Sequence, residues 1–134
     1  MAGYSGKPLV SKLDIRPAYR ILLSGEPKGF EALLAPLPPG VSFVGARVTQ
    51  ADCVILFATM ASQLKRDATR FVAKLPPAGL LWIAWPKKAA KMATDLTETT
   101  VREIGLATGL VDVKVCAITE VWSGLKFVRR LRDR

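Results

Sequence analysis

Histidine is absent from all 134 residues of this chain. Ser/His/Asp and Cys/His nucleophilic systems, histidine-bearing metal sites and imidazole proton shuttles are therefore excluded as its chemistry. Cysteine is almost as rare, since Cys53 and Cys116 are the only two, each inside an apolar run. Their placement predicts small buried thiols in a reduced protein, with no disulfide framework and no metal site. Any catalysis would have to come from carboxylates, lysines, hydroxyls or a cofactor.

Long apolar runs are also missing. None approaches the roughly 18 residues that a membrane-spanning helix needs, and the opening MAGYSGKPLV lacks the apolar core of a secretion signal. With 50% hydrophobic residues, 23% charged residues, 10 glycines and 9 prolines, the composition is typical of a compact domain without linkers. We therefore expect one domain, residues 1–134, in the cytoplasm and without a membrane partner.

Positive charge is in excess. The 20 Lys and Arg residues against 11 Asp and Glu give a formal net charge of +9. Long-range attraction then favours an anionic small molecule or macromolecule as partner, with nucleic acid as one alternative. The oligomeric state does not follow from charge.

Six apolar segments predict strands, at residues 19–23, 41–48, 51–58, 80–85, 110–119 and 124–130. Short helices are expected at 8–13 and 30–35, and a long amphipathic helix at 59–75. A further helix should begin at a capping box formed by Asp95 and Glu98, and stop at Gly109.

Strands that alternate with helices and then close on a hairpin predict a three-layer α/β sandwich with a mainly parallel sheet of about six strands. The segment 53–57 is continuously apolar, which places the third strand centrally. In 110–119, the valines at 111, 113 and 115 alternate with Asp112, Lys114 and Cys116, which predicts a regular two-faced edge strand.

The order of these segments resembles a shortened Rossmann domain of the class I methyltransferase type. Residues 16–23 are similar to the first strand of that superfamily, 51–56 to its fourth, and 75–83 to the approach to its fifth. The resemblance implies that one strand-helix unit after the second strand is missing. More narrowly, the pieces GYSGKPL, LWIAWPKK, TDLTE, GLVDVKVCAI and WSGLKFV resemble a family of small bacterial proteins classed as a domain of unknown function, number three-zero-five-two. That resemblance implies no established activity.

Two positions depart from the methyltransferase pattern. The turn after the first strand is SGEPKGF, where Glu26, Pro27 and Lys28 occupy places that favour small residues. The second strand runs into Gly45, Ala46 and Arg47, where an acidic residue would bind the ribose hydroxyls. These departures disfavour S-adenosylmethionine, so we expect no cofactor.

The candidate ligand site lies where strands end, because open α/β sheets bind ligands outside the carboxyl ends of their strands. The strand at 80–85 stops at Pro86 just before a group of lysines, and the loop after the first strand borders the same crevice. The candidates are Ser24, Gly25, Lys28, Gly29, Trp85, Lys87, Lys88 and Lys91. The alternative is a solvated basic loop, and no catalytic residue is identified.

A second set of basic residues could follow a phosphate backbone. Three of them recur every four residues along the long helix and the others lie near the carboxyl terminus. They are Arg66, Arg70, Lys74, Lys126, Arg129 and Arg130. A solvated helix face is the alternative.

Together these features favour a non-catalytic binding or regulatory protein for an anionic partner, on a degenerate methyltransferase-like scaffold. The alternatives are a divergent S-adenosylmethionine-dependent methyltransferase and a nucleic-acid-binding accessory protein. A ligand-binding test with S-adenosylhomocysteine separates the first alternative from the rest.

Overall fold

One mixed sheet of six strands forms the centre of the computed structural model, which describes residues 7–134. Residues 3–6 of the GYSGKPL segment lie outside the described residues. The strands are β1 Arg20–Ser24, β2 Ser42–Val44, β3 Cys53–Phe57, β4 Leu80–Pro86, β5 Leu110–Ala117 and β6 Trp122–Arg129. Their order across the sheet is β2-β1-β3-β4-β6-β5. β2, β1, β3 and β4 are parallel, and β6 runs antiparallel to both β4 and β5. The predicted α/β sheet with its closing hairpin is confirmed.

Helices cover both faces of the sheet, so the three-layer arrangement is also confirmed. They are α1 Leu9–Lys12, α2 Phe30–Leu33, α3 Ala61–Val72 and α4 Glu98–Ala107, with single 3₁₀ turns at Lys88–Ala90 and Leu131–Asp133. Residues of α1 and α2 pack in one core and residues of α3 and α4 in the other, with the sheet between them. Within residues 7–134, every helix is too short or too polar to cross a membrane.

The two central strands are buried on both faces. All five residues of β3 and all seven of β4 are buried, as the continuous apolar segment 53–57 predicts. Trp82 and Trp85 of β4 contribute to opposite cores. The Trp82 indole nitrogen donates a hydrogen bond to the Leu13 carbonyl at 3.0 Å, which ties the segment after α1 to the sheet.

β2 is much shorter than the strand expected at 41–48. Its three residues end at Val44, and the chain then turns, with the Val48 amide donating to the Gly45 carbonyl at 3.2 Å. β2 is an edge strand and pairs only with β1. The strand ends at this turn because the backbone there forms its hydrogen bond within the turn and no longer with a neighbouring strand.

β5 lies at the opposite edge, but its two faces do not alternate regularly as the valine spacing predicts. A bulge between Asp112 and Lys114 shifts the register, so that Asp112 opposes Phe127 and Lys114 opposes Lys126. Because successive residues of β6 point to opposite faces, the bulge sends Asp112 and Lys114 to opposite sides of the sheet. Asp112 pairs with Arg102 of α4 at 3.0 Å, whereas Lys114 pairs with a residue beyond α1.

Candidate functional site

The carboxyl ends of β1, β2, β3 and β4 meet along one edge of the sheet, here called the carboxyl edge. From β1 the chain goes to β2 on one side, and it later enters β3 on the other side of β1. The topological switch point therefore lies between the ends of β1 and β3, which is where open α/β sheets bind ligands. Ser24, the last residue of β1, and Gly25, the first residue after it, lie at this switch point.

Gly25 holds the loop after β1 directly against the end of β3. Its φ is +69°, and a Cβ at this position would lie 2.6 Å from the carbonyl oxygen of Phe57. Only glycine meets both demands without a shift of the backbone. The close approach places the backbone of the loop at the junction between the ends of the two strands.

The rest of the loop returns to the core at Phe30. Gly29 has φ +83° and nothing within 4 Å of where its Cβ would be, so its backbone faces open space. Lys28 is exposed beside it. The Phe30 ring packs edge to face against Phe57, with centroids 4.9 Å apart, and so anchors the loop on the end of β3.

No acidic residue follows β2 directly, and the backbone at the end of this strand is exposed. Gly45 follows the strand directly and, like Gly29, has nothing within 4 Å of its Cβ position. Ala46 and the exposed Arg47 come next. The ribose-binding carboxylate that a nucleoside cofactor normally meets at this strand end is therefore replaced by an open glycine and a cation.

A cleft of about 430 Å³ opens at the end of β4. Trp85 forms part of its wall, and two of the predicted lysines line it. Its lining residues are Trp85, Pro86, Lys87, Lys88, Met92, Thr94, Leu96, Thr97 and Glu98. The structure thus brings together Trp85, Lys87 and Lys88, while Lys91 lies at the left-handed end of the 3₁₀ turn and does not line the cleft. We refer to this space as the β4 cleft.

The segment between β4 and α4 crosses the carboxyl edge and is fastened to the end of β3. The Thr94 hydroxyl donates to the Thr59 carbonyl at 2.5 Å, and the Asp95 carboxylate accepts from the Ala61 amide at 2.7 Å. The prediction that Asp95 caps the following helix is therefore wrong, because Asp95 caps α3. Thr97, immediately before α4, accepts from the Thr100 amide and caps α4 instead.

Thr94 and Met92 of the β4 cleft were not predicted from sequence. Neither has a spacing or residue type that signals a ligand, and they join the site only because this segment folds back over the strand ends. The one available signal is their position directly after a strand that ends at the ligand edge.

The six predicted polyanion contacts do not form one surface. Arg66 and Arg70 are exposed on α3, but Lys74 donates to the Val48 carbonyl at 2.7 Å. Arg129 donates to the carbonyls of Val72 and Leu75 at the end of α3.

The remaining two belong to other contacts. Lys126 lies on the opposite side of the sheet from α3 and pairs with Asp14 at 2.8 Å. Arg130 is 3.7 Å from Asp133. A continuous cationic track along these residues is therefore not formed.

Neither thiol is poised as a nucleophile. Complete burial raises the pKa of Cys53 to about 12, and partial burial raises the pKa of Cys116. Both groups are therefore protonated near neutral pH, whereas a reactive cysteine needs its thiolate. Within residues 7–134, no cluster of three or more cysteine or acidic side chains is arranged to hold a metal ion.

Several solved structures that share this fold are methyltransferases. Magnesium protoporphyrin IX methyltransferase from Synechocystis PCC 6803, with bound SAH, superposes with a TM-score of 0.63 at 13% identity, covering 91% of this chain and 80% of that one. A complex that contains the Haloferax volcanii Trm112 methyltransferase activator gives a TM-score of 0.63 at 11% identity over 90% and 86%.

A possible exported protein from Bordetella parapertussis also gives 0.63, at 14% identity, over 90% of this chain. This chain spans only 65% of the length of that protein. No family model matches the chain, and no curated protein is recognisably similar to it in sequence, so the narrower family resemblance stays a prediction. The chain has a methyltransferase-like Rossmann fold.

Proposed function

We propose that this chain is a divergent methyltransferase-type domain that binds S-adenosylmethionine at the switch point between β1 and β3. The observation that carries the proposal is the contact of Gly25 with the Phe57 carbonyl, which sets loop backbone directly over that crevice. The methyltransferase-like fold, which is shared with a structure that has bound SAH, supports a cofactor of this type. This reverses the preference that the sequence alone suggests.

The residues at the switch point fit such a cofactor in part. Backbone at Gly29 and Gly45 faces open space, so a ligand can approach both turns closely. The end of β2 lacks the acid that would accept hydrogen bonds from ribose hydroxyls. We therefore expect adenosine recognition to depend on backbone groups and to be weaker than in a site with that acid.

The absence of histidine does not count against methyl transfer. Bound S-adenosylmethionine supplies an electrophilic methyl group, so the chain needs chiefly to orient an acceptor and exclude water. The β4 cleft is one strand away from β3 on the same edge and is lined by Lys87 and Lys88. These cations would favour an acceptor that carries a negative charge.

A second candidate is a non-catalytic binder of a small anion in the β4 cleft. One observation favours it: Lys87 and Lys88 line the cleft beside the buried Trp85. The basic Arg47 after β2, where an acid would be expected, counts against the nucleoside cofactor of the first candidate. In that case the loop at the switch point would serve packing only and would bind no cofactor. A nucleic-acid role has less support, because Lys126 and Arg129 are held in internal contacts.

The two candidates are separated by restoring the missing acid. Gly45→Asp adds a carboxylate at the end of β2, in open space and without a positive φ to strain. If adenosine binds there, the affinity for S-adenosylhomocysteine measured by calorimetry should rise roughly tenfold, the size of a charge-assisted hydrogen bond.

Gly45→Asn is the matched control, since it has the same shape without the charge, and it should bind like the parent protein. Equal affinities for all three proteins would contradict the placement of adenosine at the end of β2, and the absence of heat for all three would contradict the S-adenosylmethionine proposal as a whole. A titration with phenyl phosphate that is weakened by Lys88→Gln would then favour the anion binder.

A further inference from the structure

A separate cavity of about 450 Å³ lies at the opposite edge of the sheet, where the parallel strands begin. It combines charged side chains with an aromatic and an apolar wall. Its lining includes Asp14, Arg16, Tyr19, Leu80, Lys126 and Val128. We call it the amino-edge cavity. It shares no lining residue with the β4 cleft and does not depend on the proposed function.

One carboxylate oxygen in this cavity holds two ammonium groups. Oδ2 of Asp14 is 2.9 Å from the Lys114 Nζ and 2.8 Å from the Lys126 Nζ. The Lys126 side chain is only 13% exposed, so its charge is largely removed from water. A single carboxylate neutralises one of the two cations, and like charges held this close repel each other. A second anion beside them would relieve that repulsion.

The second lysine is delivered by the bulge in β5. In a regular strand, Lys114 would share a face with Asp112 and point toward α4. The extra residue, Val113, turns Lys114 to the side of Asp14 and itself lines the cavity. Bulges commonly redirect a side chain next to a functional site. The regular pairing of β5 with β6 is therefore interrupted at Val113, and two ammonium groups, those of Lys114 and Lys126, lie at the carboxylate of Asp14.

The rim offers groups with no competing bond. Among residues 7–134, Arg16 has no acid within ion-pair distance and donates no side-chain hydrogen bond, and the same holds for the Tyr19 hydroxyl. Arg134 also lines the cavity, although its Nε donates to the Arg129 carbonyl at 2.9 Å. Arg16, Lys126 and Arg134 line the cavity against one carboxylate, Asp14, so its lining has an excess of positive charge.

We propose that the amino-edge cavity binds a small organic anion, a carboxylate or a phosphate ester with an apolar or planar body. Lys126 and Arg16, which line the cavity, receive the anionic group, and the Lys126 ammonium has further N–H donors beyond the one given to Asp14. The body of the ligand rests against Tyr19 and Leu80. Asp14 positions the two lysines and does not itself contact the ligand.

The test is a titration of the ¹⁵N-labelled full chain with phenyl phosphate, followed by heteronuclear NMR, and a parallel titration with benzoate. Saturable shifts should concentrate at the amides of Tyr19, Val113 and Lys126. Binding of both probes indicates a site for organic anions in general, whereas binding of phenyl phosphate alone assigns a phosphate ester. Absence of saturation by either probe at about 10 mM would overturn the proposal.

Two variants test whether the probe binds in the amino-edge cavity. Arg16→Gln changes an exposed side chain that makes no ion pair or side-chain hydrogen bond with residues 7–134, and it should weaken binding roughly fivefold. Arg70→Gln removes the same charge from the exposed face of α3 and should leave the affinity unchanged. Equal weakening by the two variants would mean that only net charge attracts the probe, and would overturn the site.

Discussion

Replacement of Gly25 by alanine should destabilise the fold because two costs coincide at this position. A left-handed φ of +69° costs an alanine about 1 kcal/mol. The new Cβ would also lie 2.6 Å from the carbonyl oxygen of Phe57, a backbone atom that can move only with the end of β3. Overpacking of this kind costs typically about 1–3 kcal/mol. The total is about 2–4 kcal/mol.

Two glycines of the same edge separate these costs. Gly29→Ala has a similar φ of +83° but open space around its Cβ, so it should show only the conformational cost of about 1 kcal/mol. Gly45→Ala has neither feature and should stay within about 0.5 kcal/mol of the parent protein.

Thermal unfolding followed by circular dichroism measures the series. At roughly 4 °C per kcal/mol for a domain of this size, Gly25→Ala should lower Tm by roughly 8–16 °C, and Gly29→Ala by roughly 4 °C. Equal losses for the two variants would refute the contact between the loop and the end of β3, and with it the placement of the ligand crevice.

Three further predictions concern single groups. Asp95→Ala should lower the free energy of unfolding by about 1 kcal/mol in urea titration, because the Ala61 amide loses its acceptor; an unchanged midpoint would contradict the cap. Burial acts to raise the pKa of Asp14, but the hydrogen bonds from two lysines outweigh it and hold the pKa below its usual value. Asp14 therefore adds stability above its unfolded pKa, and this stability is lost as the pH falls through the folded pKa. The deficit in the free energy of unfolding of Asp14→Asn should be full at pH 7 and should shrink as the pH falls below about 4; a deficit that does not change with pH would contradict the ion pairs. Iodoacetamide at pH 8 should alkylate Cys53 only after unfolding, whereas partly exposed Cys116 should react slowly in the native protein, as mass spectrometry of digested protein would report.

The architecture was accessible from the sequence because it depends on apolar periodicity. The continuous apolar segment 53–57 could only be a central strand, and the 3.6-residue period of α3 is unambiguous. Both features result from burial, and burial can be predicted from the sequence because buried positions carry apolar residues.

Contacts between residues that are distant in sequence could not be predicted in this way. With the bulge after Asp112, Asp112 pairs with Arg102 on one face of the sheet and Lys114 pairs with Asp14 on the other, whereas regular strand alternation predicts the wrong face for Lys114. Asp95 satisfies the spacing of a capping box for α4. Its carboxylate nevertheless accepts a hydrogen bond from the first amide of α3, at Ala61, 34 residues away in sequence. Interactions of this range depend on how elements pack rather than on neighbouring residues.

The sequence predicts the candidate residues as one cluster at the carboxyl edge, whereas the structure divides them between two places on that edge. Ser24 and Gly25 lie at the switch point, and Trp85, Lys87 and Lys88 lie in the β4 cleft across β3. Sequence alone does not give the order of strands in the sheet, and that order decides which loops are neighbours. Whether any of these residues contacts a ligand stays a prediction.

The most direct test of the proposed function is a thermal-shift titration of the unmodified protein with S-adenosylhomocysteine. Ligand at a hundred times its dissociation constant adds about 2.7 kcal/mol to the free energy of unfolding, which corresponds to a rise in Tm of roughly 10 °C for a domain of this size. The account predicts a saturable rise that Gly45→Asp shifts to lower ligand concentration. An unchanged Tm at millimolar ligand for both proteins would contradict it.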